Sequence, residues 1–366
     1  MEVTVTARYL GGSMEALVWV GPRKMALQEE PLPSIEADEA LIRVAYCGIC
    51  GSELSGYLGH NALRKPPLVM GHEFSGEVVA LGAAVRAEHP ELEVGARVTA
   101  NPMIFDGTCR YCKDGLPHLC ADRALIGAHR PGAFADYVAV PASQLFGLPS
   151  DMDLRTGALS EPVACSVRIA RLASGVGGAA VLIVGSGAIG LFTLQVLRDK
   201  GARQVFVSDT NPARLSVAAA LGAKTLNPQE VDVVEVVLRA TGSEGVDISV
   251  DAVGKAVTRA QCVGATRRSG QVLLSGLHEE VSVMPVADLI RKELKIQGTF
   301  CYTPDDIREA LQLLARGAVV GGSWVVEAAL AEGGDWFARL IDGPGEAVKV
   351  LLRPSVALDT LEVGRR

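Results

Sequence analysis

The sequence predicts an α/β protein with two domains, one irregular, β-rich and barrel-like, the other a doubly wound parallel sheet. The chain has 366 residues, more than a single compact core usually holds. Residues 1–150 are rich in Val, Gly and Pro, and their apolar runs are short. From Ala179 onward, short Val-rich runs alternate with amphipathic stretches, which is typical of a parallel sheet with helices on both faces.

The β-rich domain is predicted from apolar runs that turn residues close. Its predicted strands lie at 14–19, 40–44, 76–80, 97–99 and 348–352. After Gln297 the alternation stops, Pro304-Asp305-Asp306 is predicted to begin an amphipathic helix, and the chain is expected to return to this domain. We therefore predict one domain at 1–163 with 297–366 and a second at 164–296.

The second domain is predicted from a repeated order of strand and helix. Its predicted strands lie at 181–184, 204–208, 246–250 and 271–274. Asn211-Pro212 is typical of a helix start, because Asn caps the free N–H groups and Pro fits the first helical position.

The composition limits the class of partner and the compartment. The chain is 49% hydrophobic and 21% charged, and its net charge of -7 argues against nucleic acid or an anionic membrane as a partner. The N-terminus lacks a signal-peptide pattern, and no apolar run reaches membrane-spanning length. We expect a cytoplasmic protein whose eight Cys are metal ligands or core residues, not disulfides.

A Gly-rich turn follows the strand at 181–184 and opens a helix. Its first glycine would make the tight turn, the second would let backbone approach a pyrophosphate, and the third would let the helix pack closely. The helix N-terminus would offer N–H groups to the phosphates. We predict a dinucleotide site here, although a turn that only packs tightly is the alternative. The predicted site residues are Gly185, Gly187, Ala188, Ile189 and Gly190.

An acidic residue, Asp209, ends the next predicted strand. Its carboxylate is expected to bind the two ribose hydroxyls of the adenosine and to repel a 2′-phosphate, so NAD is favoured over NADP. Asp209 could instead start the following helix, but Asn211 already fills that position. Arg214 is predicted either to lie along the adenosine or to be a solvated helix charge.

Cys50 and His72-Glu73 predict a catalytic metal. A thiolate, an imidazole and a carboxylate are zinc ligands, and an open site with three protein ligands fits residues this far apart. Cys50 alone would more often be a core residue. Zn²⁺ lowers the pKa of an alcohol that it binds, so zinc and NAD on one chain indicate hydride transfer from an alcohol.

Three motifs together resemble the zinc-dependent medium-chain alcohol dehydrogenases. They are Gly48-Ile49-Cys50-Gly51-Ser52, Gly71-His72-Glu73-Phe74-Ser75-Gly76 and the later Gly-rich turn, and the resemblance runs from Met14 over nearly the whole chain. It implies a catalytic domain beside a Rossmann domain, and by analogy a homodimer or homotetramer. It assigns metal binding to Cys50 and leaves Cys47 to pack in a strand.

The segment Leu159-Ser160-Glu161-Pro162 resembles the sorbitol, polyol and butanediol dehydrogenase branch. The resemblance implies that Glu161 completes the zinc site directly or through water; the alternative is a carboxylate at a helix N-terminus. It implies that Ser52 is the proton-relay hydroxyl. Glu53 stands where the family usually has Asp, and Ser55 stands near the place of a relay His.

Cys109, Cys112 and Cys120 have the spacing of a zinc site and resemble the family's structural-zinc lobe. The position of the usual first Cys is Asp106, and a carboxylate binds zinc less tightly than a thiolate. Two predictions stay open: a zinc held by Asp106 and the three Cys, or an empty lobe held by packing.

The substrate side departs from the best-known relatives. The segment at 298–302 resembles that of polyol dehydrogenases, but Cys301 replaces an Arg that commonly reaches the polyol. Tyr57 and Leu277 are predicted to line the cleft, with surface packing as the alternative for Tyr57. Val253, Ser275 and Leu277 are expected near the nicotinamide half of the cofactor, because ligands of such sheets bind at strand ends.

The leading hypothesis is an NAD-dependent zinc dehydrogenase that oxidises a secondary alcohol of a small polyol, diol or sugar. A second hypothesis is an amino- or phosphosugar alcohol as substrate, with Arg64-Lys65 or Arg130 as the phosphate partner. A third, from a different class, is a nucleotide-binding protein without turnover whose zinc is only structural.

Overall fold

The computed structural model describes residues 12–343 and 345–355. The predictions for the N-terminal segment at 1–11 and for the end of the predicted first domain at 356–366 lie outside the described residues. Within the described ranges, no helix combines the length and the apolar character that crossing a membrane requires.

The strands are two to ten residues long, and many of them contain buried apolar residues. They are β1 Ser13–Gly21, β2 Lys24–Pro31, β3 Glu39–Gly48, β4 Leu68–Val69, β5 Glu73–Leu81, β6 Arg97–Ala100, β7 Met103–Ile104, β8 Ala124–Leu125, β9 Tyr137–Pro141, β10 Leu145–Gly147, β11 Ala180–Val184, β12 Gln204–Ser208, β13 Lys224–Leu226, β14 Val246–Asp251, β15 Thr266–Leu274, β16 Lys295–Gly298, β17 Val325–Ala329 and β18 Lys349–Arg353. Every strand named in the sequence analysis is confirmed.

The helices are short in the β-rich part and longer after residue 160. They are α1 Gly51–Tyr57, α2 Val85–Glu88, α3 Arg110–Lys113, α4 Leu154–Gly157, α5 Ser160–Leu172, α6 Ala188–Asp199, α7 Pro212–Ala220, α8 Val233–Ala240, α9 Ala256–Ala265, α10 Val286–Lys292, α11 Pro304–Ala315 and α12 Gly333–Asp342. Asn211 caps α7 through its side chain, as predicted.

The chain divides into two compact units at Glu161/Pro162 and at Val320/Gly321. The sequence analysis placed these boundaries at 163/164 and 296/297. The second boundary falls later in the structure because β16 pairs in parallel with β15. In addition, Arg171 of α5 forms an ion pair with the buried Asp306 of α11, at 2.6 Å.

The first unit is built around a seven-stranded sheet with the order β10-β6-β5-β3-β18-β17, in which β9 also pairs with β3. A smaller sheet, β2-β1-β4, packs its apolar residues into the same core, which includes Leu17, Trp19, Phe74 and Phe134. The long strand β3 lies between β5 and β18 and pairs antiparallel with both. This arrangement sets which residues meet where β3 ends.

The second unit is a six-stranded parallel sheet with the order β13-β12-β11-β14-β15-β16. The strand β11 is fully buried, and its neighbours β12 and β14 lie on opposite sides of it. The strand order therefore changes direction at β11, and ligands of doubly wound sheets bind at the carboxyl ends of strands at such a point.

Candidate functional site

The register of three strands brings the candidate metal residues together. Gly48 at the end of β3 pairs with Glu73 at the start of β5, so Cys50 and His72 lie just beyond the same end of this pair. On the other side of β3, Gly48 pairs with Leu351 of β18. The Ile49 N–H also donates to the Val350 carbonyl at 2.9 Å, which places Lys349 beside Cys50.

Cys50, His72 and Glu73 form a compact cluster of metal-binding atoms. One ligand atom from each lies within 4.8 Å of the other two. His72 and Glu73 are buried, and Cys50 is half-buried. A thiol, an imidazole and a carboxyl group match the donor set of catalytic zinc sites, so these residues fit that ion.

Glu53 of α1 fixes the orientation of the His72 ring. Its Oε1 lies 2.7 Å from His72 Nδ1 and accepts a hydrogen bond from the Gly71 N–H at 2.8 Å. Its Oε2 accepts from the Cys50 N–H at 3.0 Å. The family that the sequence resembles usually has Asp at this position. Here the longer Glu53 makes the contact with the His72 ring. Because Nδ1 is engaged, Nε2 is the ring nitrogen left for a metal.

The electrostatics of this pair follow from burial and charge. Burial alone would lower the pKa of His72, but Glu53 and Cys50 beside it raise that pKa well above its usual value. Burial alone would raise the pKa of Glu53, yet its interactions with His72 and then Arg64 lower it. Both directions favour a protonated imidazole beside an ionised carboxylate.

Glu73 has a second partner that the sequence analysis missed. Lys349 Nζ donates to both Glu73 oxygens, at 2.8 and 2.6 Å, and to the Ile49 carbonyl at 2.9 Å. Burial would lower the pKa of Lys349, but Glu73 and Cys50 raise it to about 12. A charged residue inside the apolar run at 348–352 was the available signal, since Lys is almost never buried without a partner.

Glu161 and Ser52 occupy different positions relative to this cluster. Glu161 is buried at the start of α5, and its charge helps to raise the pKa of Lys349 after the larger effects of burial, Glu73 and Cys50. Its carboxylate lies outside the 4.8 Å cluster of ligand atoms. Ser52, in the first turn of α1, has an exposed side chain.

Arg64 is a buried residue of this region, and the sequence analysis considered it only as a phosphate partner. It is 4% exposed. Its guanidinium donates to the Ser52 carbonyl and the Ser52 hydroxyl, at 3.1 and 3.3 Å, and to the Gly127 carbonyl at 3.3 Å. Arg130 pairs with Glu39 at 2.7 Å. Of the three proposed phosphate partners, only Lys65 is exposed.

Asp106, Cys109, Cys112 and Cys120 form a second cluster. One ligand atom from each lies within 4.8 Å of all the others. Asp106 Oδ1 accepts from the N–H groups of Thr108 and Cys109, at 2.6 and 2.8 Å, and these hydrogen bonds lower the pKa of the carboxyl. Burial, with the neighbouring Cys109, raises the pKa of Cys112 to about 12. The ionised carboxylate is thus held against three thiols.

Three other residues have positions that refine the sequence analysis. Cys47 is fully buried within β3, in agreement with a packing role. Tyr57 does not line an open surface: its ring packs on Phe337, with centroids 5.3 Å apart, and its hydroxyl donates to the Arg23 carbonyl. Cys301 is half-buried and has a left-handed backbone, with φ 47°.

The Gly-rich turn of the second unit has the backbone that the sequence predicts. Gly185 has φ 100°, a left-handed value that side chains rarely tolerate. Gly187 precedes α6 and has open space where a Cβ would be. Gly190 lies against the Gly185 carbonyl, with no room for a side chain. Ala188 and Ile189 form the first turn of α6, whose N–H groups are suited to phosphate.

Asp209 connects the end of β12 to this turn. Its Oδ2 accepts from the Ser186 N–H at 2.7 Å, and its Oδ1 accepts from the Asn211 N–H at 2.9 Å. Arg214 in α7 is half-buried, and its buried Nε has no hydrogen-bond partner among the described residues. An acidic group and a guanidinium whose Nε has no hydrogen-bond partner among the described residues thus lie on neighbouring elements.

Val253, Ser275 and Leu277 follow the carboxyl ends of β14 and β15. The Asp251 carboxylate accepts from the N–H groups of Val253 and Gly254, at 3.0 and 2.9 Å, which fixes the first of these loops. Val253 also packs on the Gly185 turn. Ser275 is half-buried, whereas Leu277 is exposed. All three lie at the sheet edge where the dinucleotide site is predicted.

Comparison with known proteins supports both halves of this description. Two family models match the chain: the alcohol dehydrogenase GroES-like domain at residues 36–150 and the zinc-binding dehydrogenase at residues 188–316. A sorbitol dehydrogenase from Halalkalibacterium halodurans is 33% identical over 93% of this chain and 99% of its own length. A D-arabitol-phosphate dehydrogenase from Enterococcus avium is 34% identical over 82% of this chain and 85% of its own.

A solved structure agrees with the fold. The crystal structure of a zinc-binding dehydrogenase from Sinorhizobium meliloti 1021, bound to NADP, superposes with a TM-score of 0.87 at 32% identity. The match covers 94% of this chain and 100% of the Sinorhizobium meliloti chain. Together with the identity to the sorbitol dehydrogenase over most of both chains, these matches show that the protein is an oxidoreductase of the zinc-dependent medium-chain alcohol dehydrogenase family, in its polyol dehydrogenase-like branch.

Proposed function

We propose that the protein oxidises a secondary alcohol of a small polyol, diol or sugar, with zinc at the Cys50 cluster and NAD as hydride acceptor. The observation that carries this proposal is the compact cluster of Cys50, His72 and Glu73, with His72 oriented by Glu53. The named sorbitol and D-arabitol-phosphate dehydrogenases support a polyol-type substrate, since both act on sugar alcohols or their phosphates.

Each residue of the cluster has a distinct part in this proposal. Cys50 and His72 would hold the ion through Sγ and Nε2, and the Glu73 carboxylate, which accepts hydrogen bonds from Lys349, would be the third ligand. Glu161, outside the cluster of ligand atoms, would act through water. When bound, zinc supplies a positive charge that lowers the pKa of an alcohol at the site. Ser52, exposed beside Cys50, would take the alcohol proton and pass it towards solvent.

The experiment that tests the metal proposal removes one ligand at a time. Cys50→Ala and His72→Ala should each lose zinc from the catalytic site and lose alcohol oxidation, as measured by metal analysis and by NADH formation. Cys47→Ala is the matched control, because Cys47 is buried in β3 beside the cluster but contributes no ligand atom to it. Retained oxidation in the Cys50 and His72 variants, with no loss of zinc, would refute the proposal.

We infer that NAD is the cofactor from the position of Asp209. A 2′-phosphate near this carboxylate would be repelled, whereas ribose hydroxyls can donate to it. The NADP in the Sinorhizobium meliloti structure makes a direct comparison necessary. Kinetics with both cofactors should give a higher kcat/KM with NAD than with NADP. In Asp209→Asn, the ratio of these two kcat/KM values should be smaller. An equal or higher value with NADP for the unaltered protein would contradict the assignment.

A phosphorylated or amino sugar alcohol is the second candidate substrate, favoured by the similarity to D-arabitol-phosphate dehydrogenase. Arg64 and Arg130 already have partners inside the first unit, which leaves Lys65 as the exposed cation of the three. A panel of diols, sugar alcohols and their phosphates separates the two proposals. We expect the unphosphorylated compounds to have the higher kcat/KM.

We also propose that Asp106, Cys109, Cys112 and Cys120 hold a second, structural zinc. Their four ligand atoms are already close to one another, and the pKa of Asp106 is lowered by backbone N–H groups, so the carboxylate is ready to bind a cation. Metal analysis should then give about two zinc ions per chain. One zinc per chain, lost on substitution of His72, would leave the lobe empty and contradict this proposal.

Finally, we propose that the protein forms a homo-oligomer through β16. Among the described residues, β16 is an edge strand of its sheet and all four of its residues are exposed. Large apolar side chains are exposed nearby, at Val281, Val283, Val286 and Ile290. An open edge strand with apolar neighbours is suited to pair with the same strand of a second copy.

A further inference from the structure

A buried guanidinium contacts the hydroxyl of an exposed residue in the first unit. Arg64 is 4% exposed, whereas Ser52 is exposed. Arg64 Nη2 lies 3.3 Å from Ser52 Oγ, and Arg64 Nη1 lies 3.1 Å from the Ser52 carbonyl oxygen. The Arg64 side chain therefore contacts both the backbone and the reactive atom of Ser52.

The chemistry of the guanidinium fixes the direction of this hydrogen bond. Arg has only donors, so the Ser52 oxygen must accept from Arg64. The Ser52 hydrogen then points away from Arg64, and one lone pair of the oxygen stays available. A hydroxyl that relays a proton has to accept on one side and donate on the other. Arg64 thus leaves Ser52 with one acceptor and one donor position towards the exposed side.

Arg64 is also connected to the segment that carries His72. Its Nε donates to the Gly127 carbonyl at 3.3 Å. Gly127 packs so closely on Gly71 that a Cβ added to Gly127 would lie 2.8 Å from the Gly71 carbonyl oxygen. The Gly71 N–H donates to Glu53, which contacts His72. One side chain therefore spans the distance between Ser52 and the backbone that precedes the metal cluster.

The fold makes room for this side chain at a specific point. Gly56 of α1 faces the stem of Arg64, and a Cβ there would lie 2.7 Å from Arg64 Cδ. Glycine is less favourable than alanine inside a helix, so α1 is less stable at the position where it packs on the Arg64 side chain. The adjacent Lys65 is exposed, so the burial of Arg64 is a property of that residue and not of the whole segment.

We propose that Arg64 is a positioning residue that holds the Ser52 hydroxyl in the orientation required for proton relay. The proposal rests on the proposed alcohol oxidation. It assigns Arg64 a part in the proton transfer, in place of the phosphate recognition that its position next to Lys65 first indicated. The side-chain hydrogen bonds of Arg64 go to Ser52 and Gly127, and none of these three goes to the predicted metal ligands Cys50 and His72.

A double-mutant cycle tests whether Arg64 acts through Ser52. Ser52→Ala should lower kcat by about a hundredfold or more, the usual contribution of a positioned proton-transfer group. Arg64→Met should lower kcat by roughly ten- to a hundredfold, the range for one charged hydrogen bond. Adding Arg64→Met to Ser52→Ala should then change kcat little further. Arg64→Lys, which keeps the charge and a donor, should recover part of the loss.

Two readouts separate positioning from a general structural role. In Arg64→Met, the zinc content should stay at the wild-type value while the solvent deuterium isotope effect on kcat increases. Gly56→Ala would place a Cβ 2.7 Å from Arg64 Cδ, so it should displace Arg64 and lower kcat while the zinc content stays at the wild-type value. An equal fold-loss from Arg64→Met in the presence and absence of Ser52 would overturn the proposal, because the effect would not pass through the hydroxyl.

A structural measurement tests the same proposal without any turnover. Crystal structures should be compared for the zinc-loaded wild type, Arg64→Met and Arg64→Lys. The wild type and Arg64→Lys should show Ser52 in the same single rotamer, and Arg64→Met should show a different rotamer or a mixture. An unchanged Ser52 rotamer in a folded Arg64→Met protein would overturn the positioning role. Absence of activity in the wild type towards the whole alcohol panel would instead refute the proposed function and leave this structural result valid.

Discussion

At the scale of single residues, the candidate metal centre is a set of charges that satisfy one another before any metal arrives. Glu53 is paired with His72, and Glu73 is paired with Lys349. All four side chains are almost fully buried, and buried charges persist in proteins only when they are paired and hydrogen-bonded. These pairs can hold the candidate ligands in place without zinc. Zinc binding would then have to displace the proton on His72 and compete with Lys349 for Glu73.

The His72 pair predicts proton release on zinc binding. The raised pKa of His72 favours a second proton on the ring, which the ring must lose when Nε2 binds a metal. Calorimetric titration of the metal-free protein with zinc at pH 7, in two buffers of different ionisation enthalpy, should detect this proton. In Glu53→Gln the pKa of His72 falls, so fewer protons should be released. Equal proton release from both proteins would contradict the explanation.

The ion pair of Lys349 with Glu73 predicts that removing the Lys349 charge destabilises the fold and that a second substitution, at Glu73, restores stability. Lys349→Met leaves the Glu73 carboxylate buried without its cation, and breaking a buried pair in this way costs about 3–5 kcal/mol. Urea unfolding of the metal-free protein should show this decrease in the free energy of unfolding. Lys349→Met combined with Glu73→Gln should recover most of it. A double variant as unstable as the single one would show that the charge of Glu73 is not the cause.

The same residues show how far sequence reasoning extends to single side chains. Cys50, His72 and Glu73 could be selected because each motif is local and its residue types are those of a zinc site. The partner of Glu73 could not, since Lys349 lies 276 residues away along the chain and reaches the site only through the pairing of β18 with β3. The contact of Glu53 with His72 depends on where α1 begins, which apolar periodicity does not define.

At the scale of elements, the second cluster is a small lobe that lacks a core of its own. The strands β7 and β8 have two residues each, and α3 is a single turn with no buried residue. Short elements of this kind depend on a metal or on neighbouring structure for stability. Asp106 is exposed, and one of its oxygens is already bonded to two backbone N–H groups.

This lobe predicts that Asp106→Cys strengthens zinc retention. A thiolate at this position replaces a carboxylate, a weaker ligand for zinc, and completes a site with four Cys. Dialysis against a chelator, followed by metal analysis, should leave about one more zinc per chain in Asp106→Cys than in the wild type. Cys112→Ser is the control and should lose the same zinc faster than the wild type. Equal retention in all three proteins would mean that the lobe does not bind zinc.

Elements were the most predictable level of this structure. The bounds predicted for strands with continuous apolar runs, such as β11 and β12, agree with the structure to within one residue. A strand that is buried on both faces consists almost entirely of apolar residues, so its sequence stands out. The helix α11 was also predicted, but not that it belongs with the second unit. The contacts that α11 makes in that unit include the ion pairs of Arg171 with Asp306 and Glu309, which the apolar pattern alone does not reveal.

At the scale of the whole molecule, association is predicted from the edge of the parallel sheet. Charged substitutions at Val283 and Ile296, written Val283→Glu and Ile296→Lys, place charges at the proposed β16 contact. Light scattering should show a multiple of the 38.4 kDa chain mass for the wild type and a smaller species for the double variant. Val231→Glu, on another exposed apolar residue, is the control. A wild-type protein of single-chain mass would contradict the proposal.

The return strand β18 has a consequence for the order in which the protein matures. During synthesis the ribosome releases Cys50, His72 and Glu73 long before Lys349, and domains fold as their residues emerge. Until β18 joins β3, the Glu73 carboxylate has no cation beside it and the edge of β3 is open. We therefore expect the candidate metal centre to be complete only after β18, the last strand among the described residues, has paired with β3, so that a chain terminated before β18 lacks the cation beside Glu73.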